Sequence, residues 1–165
     1  MSILDLEGLL LNACESFIKN IDKYNWSLFY ESDFRCALYA ELIKSMEQEK
    51  FGQFPIHTEH RYGDFIADIV IGEKEEIAIE IKFAYTYWAL RMSDLVKAKR
   101  QLQGYLESGA KKAYLICLDH QIPPEREPVS KTIDIREFGF SGEWRVINGE
   151  QVAGDEFLIA TCEHA

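Results

Sequence analysis

The stretch from Arg61 to Phe83, Arg-Tyr-Gly-Asp-Phe-Ile-Ala-Asp-Ile-Val-Ile-Gly-Glu-Lys-Glu-Glu-Ile-Ala-Ile-Glu-Ile-Lys-Phe, restricts the fold more than any other part of the chain. It reads as a pair of strands, Phe65 to Ile71 and Ile77 to Phe83, joined by a polar turn that begins at Gly72. In the second strand Ile77, Ile79, Ile81 and Phe83 alternate with Ala78, Glu80 and Lys82, so one face is apolar and the other carries an acid and a base. Pairing symmetric about Lys74 sets Val70 against Ala78, Ile66 against Lys82 and Asp68 against Glu80. The two carboxylates then share a face with their β-carbons about 5 Å apart, where like charges repel. A cation or a proton must hold them together, and a bound metal ion is the simplest remedy. Lys82 points to the same side and would place an ammonium beside whatever the carboxylates bind. These residues ask for an anionic, metal-bridged substrate, and the competing reading is a solvated strand face with a cross-strand lysine.

The flanking segments supply the rest of an α/β order. Ser2 to about Ile21 has Leu6, Leu9, Leu10, Cys14, Phe17, Ile18 and Ile21 near helical spacing. An aromatic connector, Tyr24 to Tyr30, leads to a second helix that Ser32 or Asp33 would cap and that runs to about Gln48. On it Phe34, Ala37, Leu38 and Glu41 share one stripe, so Glu41 projects from an apolar face and needs a partner, either at the hairpin or in Arg35 or Lys44. Phe54 to His60 reads as a strand running into the hairpin, with His57 and Glu59 on one face in a surface or supporting role. Asp64, in the turn beside Gly63, ranks behind Asp68 as a ligand. Tyr85, Tyr87 and Trp88 follow the hairpin as a substrate-facing loop or as core filling.

Ser93-Asp94 caps a third helix that ends at Gly109, with Leu95, Ala98, Leu102, Tyr105 and Leu106 inward. Gln101 and Tyr105 lie one turn apart on it. Lys112 to Leu118 is nearly all apolar, the mark of a strand buried on both faces, and closes a βαβ crossover expected to be right-handed. Beyond the loop marked by Pro123-Pro124 and Pro128, the segments Lys131 to Phe138, Glu143 to Asn148 and Glu156 to Cys162 read as peripheral strands.

Asp68, followed after eleven residues by Glu80-Ile81-Lys82, resembles the active-site hairpin of the PD-(D/E)xK nuclease superfamily, with Ala67 where that motif often has proline. Gln101-Leu102-Gln103-Gly104-Tyr105 is similar to the Gln-x-x-x-Tyr motif of its RecB-like branch. The resemblance spans roughly Phe34 to Asp119 and implies a restriction-endonuclease-like α/β fold: a mixed central sheet flanked by helices, in the order helix, three strands, helix, strand. It further implies hydrolysis of a nucleic-acid phosphodiester, with DNA rather than RNA as the expected substrate. Asp68, Glu80 and the carbonyl of Ile81 would hold Mg²⁺, for which Mn²⁺ could substitute, and Glu41 would complete the metal shell. Lys82 would orient or help deprotonate a water and offset charge on phosphorus. Gln101 and Tyr105 would hold the substrate, and a homodimer is compatible with the resemblance.

Charge bears directly on that substrate. The 165 residues carry a net charge of -10, which argues against a protein coated in phosphate-binding surface. From Ile81 to Lys112, however, seven basic residues face two acidic ones, leaving eleven basic and twenty-six acidic residues elsewhere. Lys97, Lys99 and Arg100 are the centre of this basic strip, which reads as an anion-binding surface or as a solvated helix face. The acidic balance favours the alternative function, a non-catalytic nucleic-acid-binding or protein-interaction module on the same fold. The length fits one domain, and a 47% hydrophobic content provides for a real core. Cys14, Cys36, Cys117 and Cys162 are widely spaced and read as reduced core residues. With no basic segment before its first apolar run and no long apolar stretch, the chain reads as a soluble cytoplasmic protein without membrane partners.

Overall fold

The computed structural model describes residues 2–21, 30–48, 54–85, 90–120, 127–148 and 155–164. Tyr24 to Trp26, Tyr87, Trp88 and Pro123-Pro124 lie outside them. Helix α1 (Ile3–Lys19) begins with a reciprocal cap, in which Ser2 Oγ accepts from the Asp5 N–H and Asp5 Oδ2 accepts from the Ser2 N–H. Helix α2 (Glu31–Gln48) follows, and its Asp33 carboxylate accepts from the Tyr30 N–H. Strands β1 (Ile56–Tyr62), β2 (Phe65–Ile71) and β3 (Ile77–Tyr85) form an antiparallel run. Helix α3 (Met92–Glu107) then crosses to β4 (Lys112–His120), which pairs parallel to β3. The expected order of helix, three strands, helix and strand is present.

The six strands form one mixed sheet in the order β1-β2-β3-β4-β6-β5, where β5 is Ser141–Asn148 and β6 is Glu156–Cys162. Alternation along β3 and β4 divides the core in two. Ile77, Ile79, Ile81, Ile116 and Leu118 pack with α1 and α2, together with Phe157 and Ile159 of β6. Ala78, Ala113, Leu115 and Ala160 pack with Leu95, Ala98, Leu102 and Tyr105 of α3. Helices therefore cover both faces of the sheet, with small alanines under α3.

The C-terminal part corrects two expectations. Lys131 to Phe138 is not a strand: it forms a short helix, α4 (Val129–Thr132), and a 3-10 helix, Ile135–Phe138. Asp134 caps the latter by accepting from the Arg136 N–H at 3.0 Å, and Gly139 ends it at φ 83°, a combination that favours a turn over extension. Strand β6 is not peripheral either, because it lies between β4 and β5 with Phe157 and Leu158 fully buried. At the end of β4, Asp119 accepts from the Val129 N–H and His120 lies 2.8 Å from Asp155, tying α4 and the start of β6 to the sheet.

All four cysteines are free thiols, but Cys36 sits exposed on α2, whereas Cys14, Cys117 and Cys162 are core residues as expected. Burial pushes the Cys14 thiol up to about 12. Among the described residues, no helix is long and apolar enough to cross a membrane.

Candidate active site

The hairpin pairs in the expected register, with Ile71 against Ile77, Val70 against Ala78 and Ile69 against Ile79. Beyond Ile69 the two strands part, and neither the expected Asp68–Glu80 pair nor the expected Ile66–Lys82 pair is part of the ladder between these described residues. At the fork, a side chain replaces the backbone ladder: Asp68 Oδ2 accepts from the Ile81 N–H at 2.7 Å. Asp68 lies close enough to Glu80 for the second carboxylate to disfavour ionisation of the first. Burial foremost, then the Glu80 charge, pushes the Asp68 carboxyl up to about 6, against the pull of the Ile81 N–H, Lys82 and Arg35.

Glu80 is buried and held at both oxygens. Lys82 Nζ lies 3.0 Å from Oε1, and the Tyr105 hydroxyl lies 2.5 Å from Oε2. The same hydroxyl is 2.8 Å from the Ile66 carbonyl, on the separated part of β2. Burial works against the Lys82 ammonium, but the charges of Glu80 and Glu31 outweigh it and hold its pKa above the ordinary lysine value. Tyr105 is fully buried, and burial together with Glu80 pushes its hydroxyl far up, so it stays a neutral donor. Its hydroxyl contacts the Glu80 carboxylate and the Ile66 carbonyl, which makes it a residue that orients Glu80. Gln101 lies beside Tyr105, and its buried Oε1 has no partner among the described residues.

Gly104 makes this arrangement possible. A Cβ there would stand 2.2 Å from the Phe65 ring, so only a glycine lets α3 lie this close to β2 and brings Tyr105 to Glu80.

The helical acid at the fork is Glu31, which sequence reasoning missed. Its Oε1 lies 3.8 Å from Lys82 Nζ. Burial raises its pKa, with Lys82 opposing and the Asp68 charge adding to the rise. Glu41 instead turns toward α1, where it is 2% exposed and accepts from Ser16 Oγ at 3.0 Å. The signal was available: Glu31 and Arg35 are four residues apart and share a helix face, but a cap placed at Ser32 or Asp33 left Glu31 outside the helix. Arg35 also serves the fork, 3.5 Å from Asp68 Oδ1 and 3.3 Å from Glu59 Oε1.

The remaining candidates scatter. Asp64 is exposed and lines a shallow cleft with Phe65, Ile66, Lys97, Arg100 and Gln101. Lys99 leaves the basic strip: its Nζ donates to the Gly139 carbonyl at 2.6 Å and lies 5.2 Å from the centre of the Phe140 ring. His57 is exposed, and His60 packs edge-on against Tyr62. Among the described residues, no three His, Cys, Asp or Glu side chains converge as a ready-made metal cage. A two-carboxylate set still suits Mg²⁺, which keeps several waters and is usually held through one or two carboxylates plus substrate oxygens. Comparison with protein-family models, curated proteins and solved structures finds no match for this chain.

The raised pKa of Asp68 has a measurable consequence without any metal. A folded-state pKa above the ordinary 3.8 means that ionised Asp68 costs stability above about pH 6, and that this cost disappears as pH falls toward 4. Asp68→Asn is expected to melt higher than the parent at pH 7.5 in chelator, with the two melting curves converging near pH 4. A parent at least as stable as the variant at pH 7.5 would contradict this reading.

Proposed function

We propose that the chain is a metal-dependent nuclease of the PD-(D/E)xK type, on a restriction-endonuclease-like fold, acting on DNA. The observation that carries the reading is the fork itself: Asp68 beside Glu80 on adjoining strands, with Lys82 bonded to Glu80. The order of elements around it, α2, β1 to β3, α3 and β4, supports the same assignment. Asp68 and Glu80, with the Ile81 carbonyl, would hold Mg²⁺ or Mn²⁺. Such an ion supplies a polarised phosphate and an activated water.

The chain's own groups do the rest. Tyr105 fixes one oxygen of Glu80 and the Ile81 N–H fixes one oxygen of Asp68, so both carboxylates are oriented before substrate arrives. Lys82 offers N–H donors and positive charge beside them, suited to a water and to charge growing on the phosphoryl oxygens. Lys97 and Arg100, exposed in a cleft with Gln101, would meet the phosphate backbone.

The test is incubation of labelled single-stranded, duplex and branched DNA, and of RNA, with and without Mg²⁺ or Mn²⁺. Cleavage is expected only with metal, on DNA in preference to RNA, and Asp68→Ala is expected to lose both metal binding and cleavage. Nucleic-acid binding without cleavage under every condition would favour the non-catalytic module.

A further inference from the structure

The four carboxylate oxygens at the fork are held unequally. In each acid, one oxygen meets a donor fixed by backbone or core, the Ile81 N–H for Asp68 and the Tyr105 hydroxyl for Glu80. The other meets a long cationic side chain, Arg35 for Asp68 and Lys82 for Glu80. Arg35 is the looser of these. At 3.5 Å its contact with Asp68 is an ion pair without a hydrogen bond, well beyond the roughly 2.7–2.9 Å of a tight charge-assisted one.

Arg35 also has a second acid within reach. Its hydrogen bond goes to Glu59 Oε1, on a side chain 66% exposed. Glu59 stands opposite Asp68 in the β1–β2 register, between the Thr58–Ile69 and His60–Ala67 pairs. It adopts φ 54°, left-handed backbone that is strained for a non-glycine residue and persists where the surroundings enforce it. The strands swap faces at this point. Ile56 joins the core under α1 and α2 while Tyr62 joins the core under α3, although both are even-numbered. Ile69 and Ala67 divide the same way. The kink thus presents Glu59 to Arg35 directly across from Asp68.

We propose that Arg35 is a displaceable counter-ion: it neutralises Asp68 in the metal-free protein and, when a divalent cation arrives, releases Asp68 and is held by Glu59. This rests on the metal-binding reading above. It makes Arg35 and Glu59 positioning residues that set metal affinity from outside the ligand set. A divalent ion must compete with Arg35 for Asp68, and Glu59 lowers the cost of that competition by receiving the guanidinium.

The experiment is a double-mutant cycle on Mn²⁺ affinity, measured by calorimetry on the chelator-stripped full chain. Asp68→Ala serves as the control and thermal melts check folding. Arg35→Gln is expected to tighten Mn²⁺ binding about five- to tenfold, and Glu59→Gln to weaken it about threefold in the parent and not at all in the Arg35→Gln background, as coupled neighbours do. Arg35→Met, which keeps the packing of the stem, should repeat the Arg35→Gln result if that variant folds poorly. If Arg35→Gln and Arg35→Met leave affinity unchanged or weaken it, Arg35 does not compete for Asp68. If Glu59→Gln weakens binding equally with and without Arg35, Glu59 acts by its own charge, and the hand-over is wrong. Both results leave the nuclease reading standing. Absence of saturable, Asp68-dependent Mn²⁺ binding in the parent overturns that reading and this one together.

Discussion

Lys82→Ala is expected to lower cleavage by a hundred- to a thousandfold at saturating Mg²⁺ while leaving metal affinity equal to the parent's or slightly tighter. The ammonium contributes no ligand, since a cation repels Mg²⁺, and its removal frees Glu80 Oε1 from a 3.0 Å partner. Glu31 and Asp68 lose the same positive neighbour, so the fork becomes more negative and holds a divalent ion at least as well. Charge that develops on the phosphoryl oxygens, by contrast, loses a placed donor, and one such donor is commonly worth about 3–4 kcal/mol of barrier. The measurement is single-turnover cleavage across a Mg²⁺ titration, so that a metal-affinity defect cannot imitate a chemical one. Cleavage at the parental rate would remove Lys82 from the chemistry.

Phe17→Ala is expected to destabilise the fold by about 3–5 kcal/mol, the usual cost of deleting a buried aromatic side chain. Phe17 is fully buried, edge-on to Phe34 of α2 at 5.6 Å and to Phe157 of β6 at 5.1 Å. The three rings join α1, α2 and the interior strand β6, so the cavity has little room to collapse. Against a total stability of about 5–15 kcal/mol, this loss is large. Chemical denaturation with an unchanged m-value would measure it. A loss below about 1 kcal/mol would mean that α1 does not seal this face of the sheet. Phe34 and Arg35 are consecutive on α2, so loosening these rings also loosens the arm that reaches Asp68.

Local pattern carried much of this structure. The bounds Phe65–Ile71 and Glu156–Cys162 follow from β-branched and aromatic runs, and the hairpin register at Ile71–Ile77 to Ile69–Ile79 follows from a symmetric turn and a two-residue period. The inward stripe of α3 was equally legible, because it depends on residues within a turn or two.

What the chain could not declare locally was decided by distant partners. Glu31 rather than Glu41 meets the hairpin because α2 starts at Glu31 and crosses the fork at its first turn, while Ser16 of α1 takes the Glu41 carboxylate. Tyr105 reaches Glu80 because Gly104 lets α3 rest on Phe65, a closeness no helical period reveals. Lys99 turns away from the basic strip because Gly139, forty residues later, offers its carbonyl. Strand β6 becomes interior because β4 has an open edge, and the last apolar strand of the chain fills it. By itself the sequence determined most of the helices and strands, Lys131 to Phe138 excepted, and which face of the hairpin is charged, since propensity and periodicity act over a few residues. The tertiary structure alone decided which helical acid, which cation and which hydroxyl meet those carboxylates, since such contacts depend on where whole elements cross.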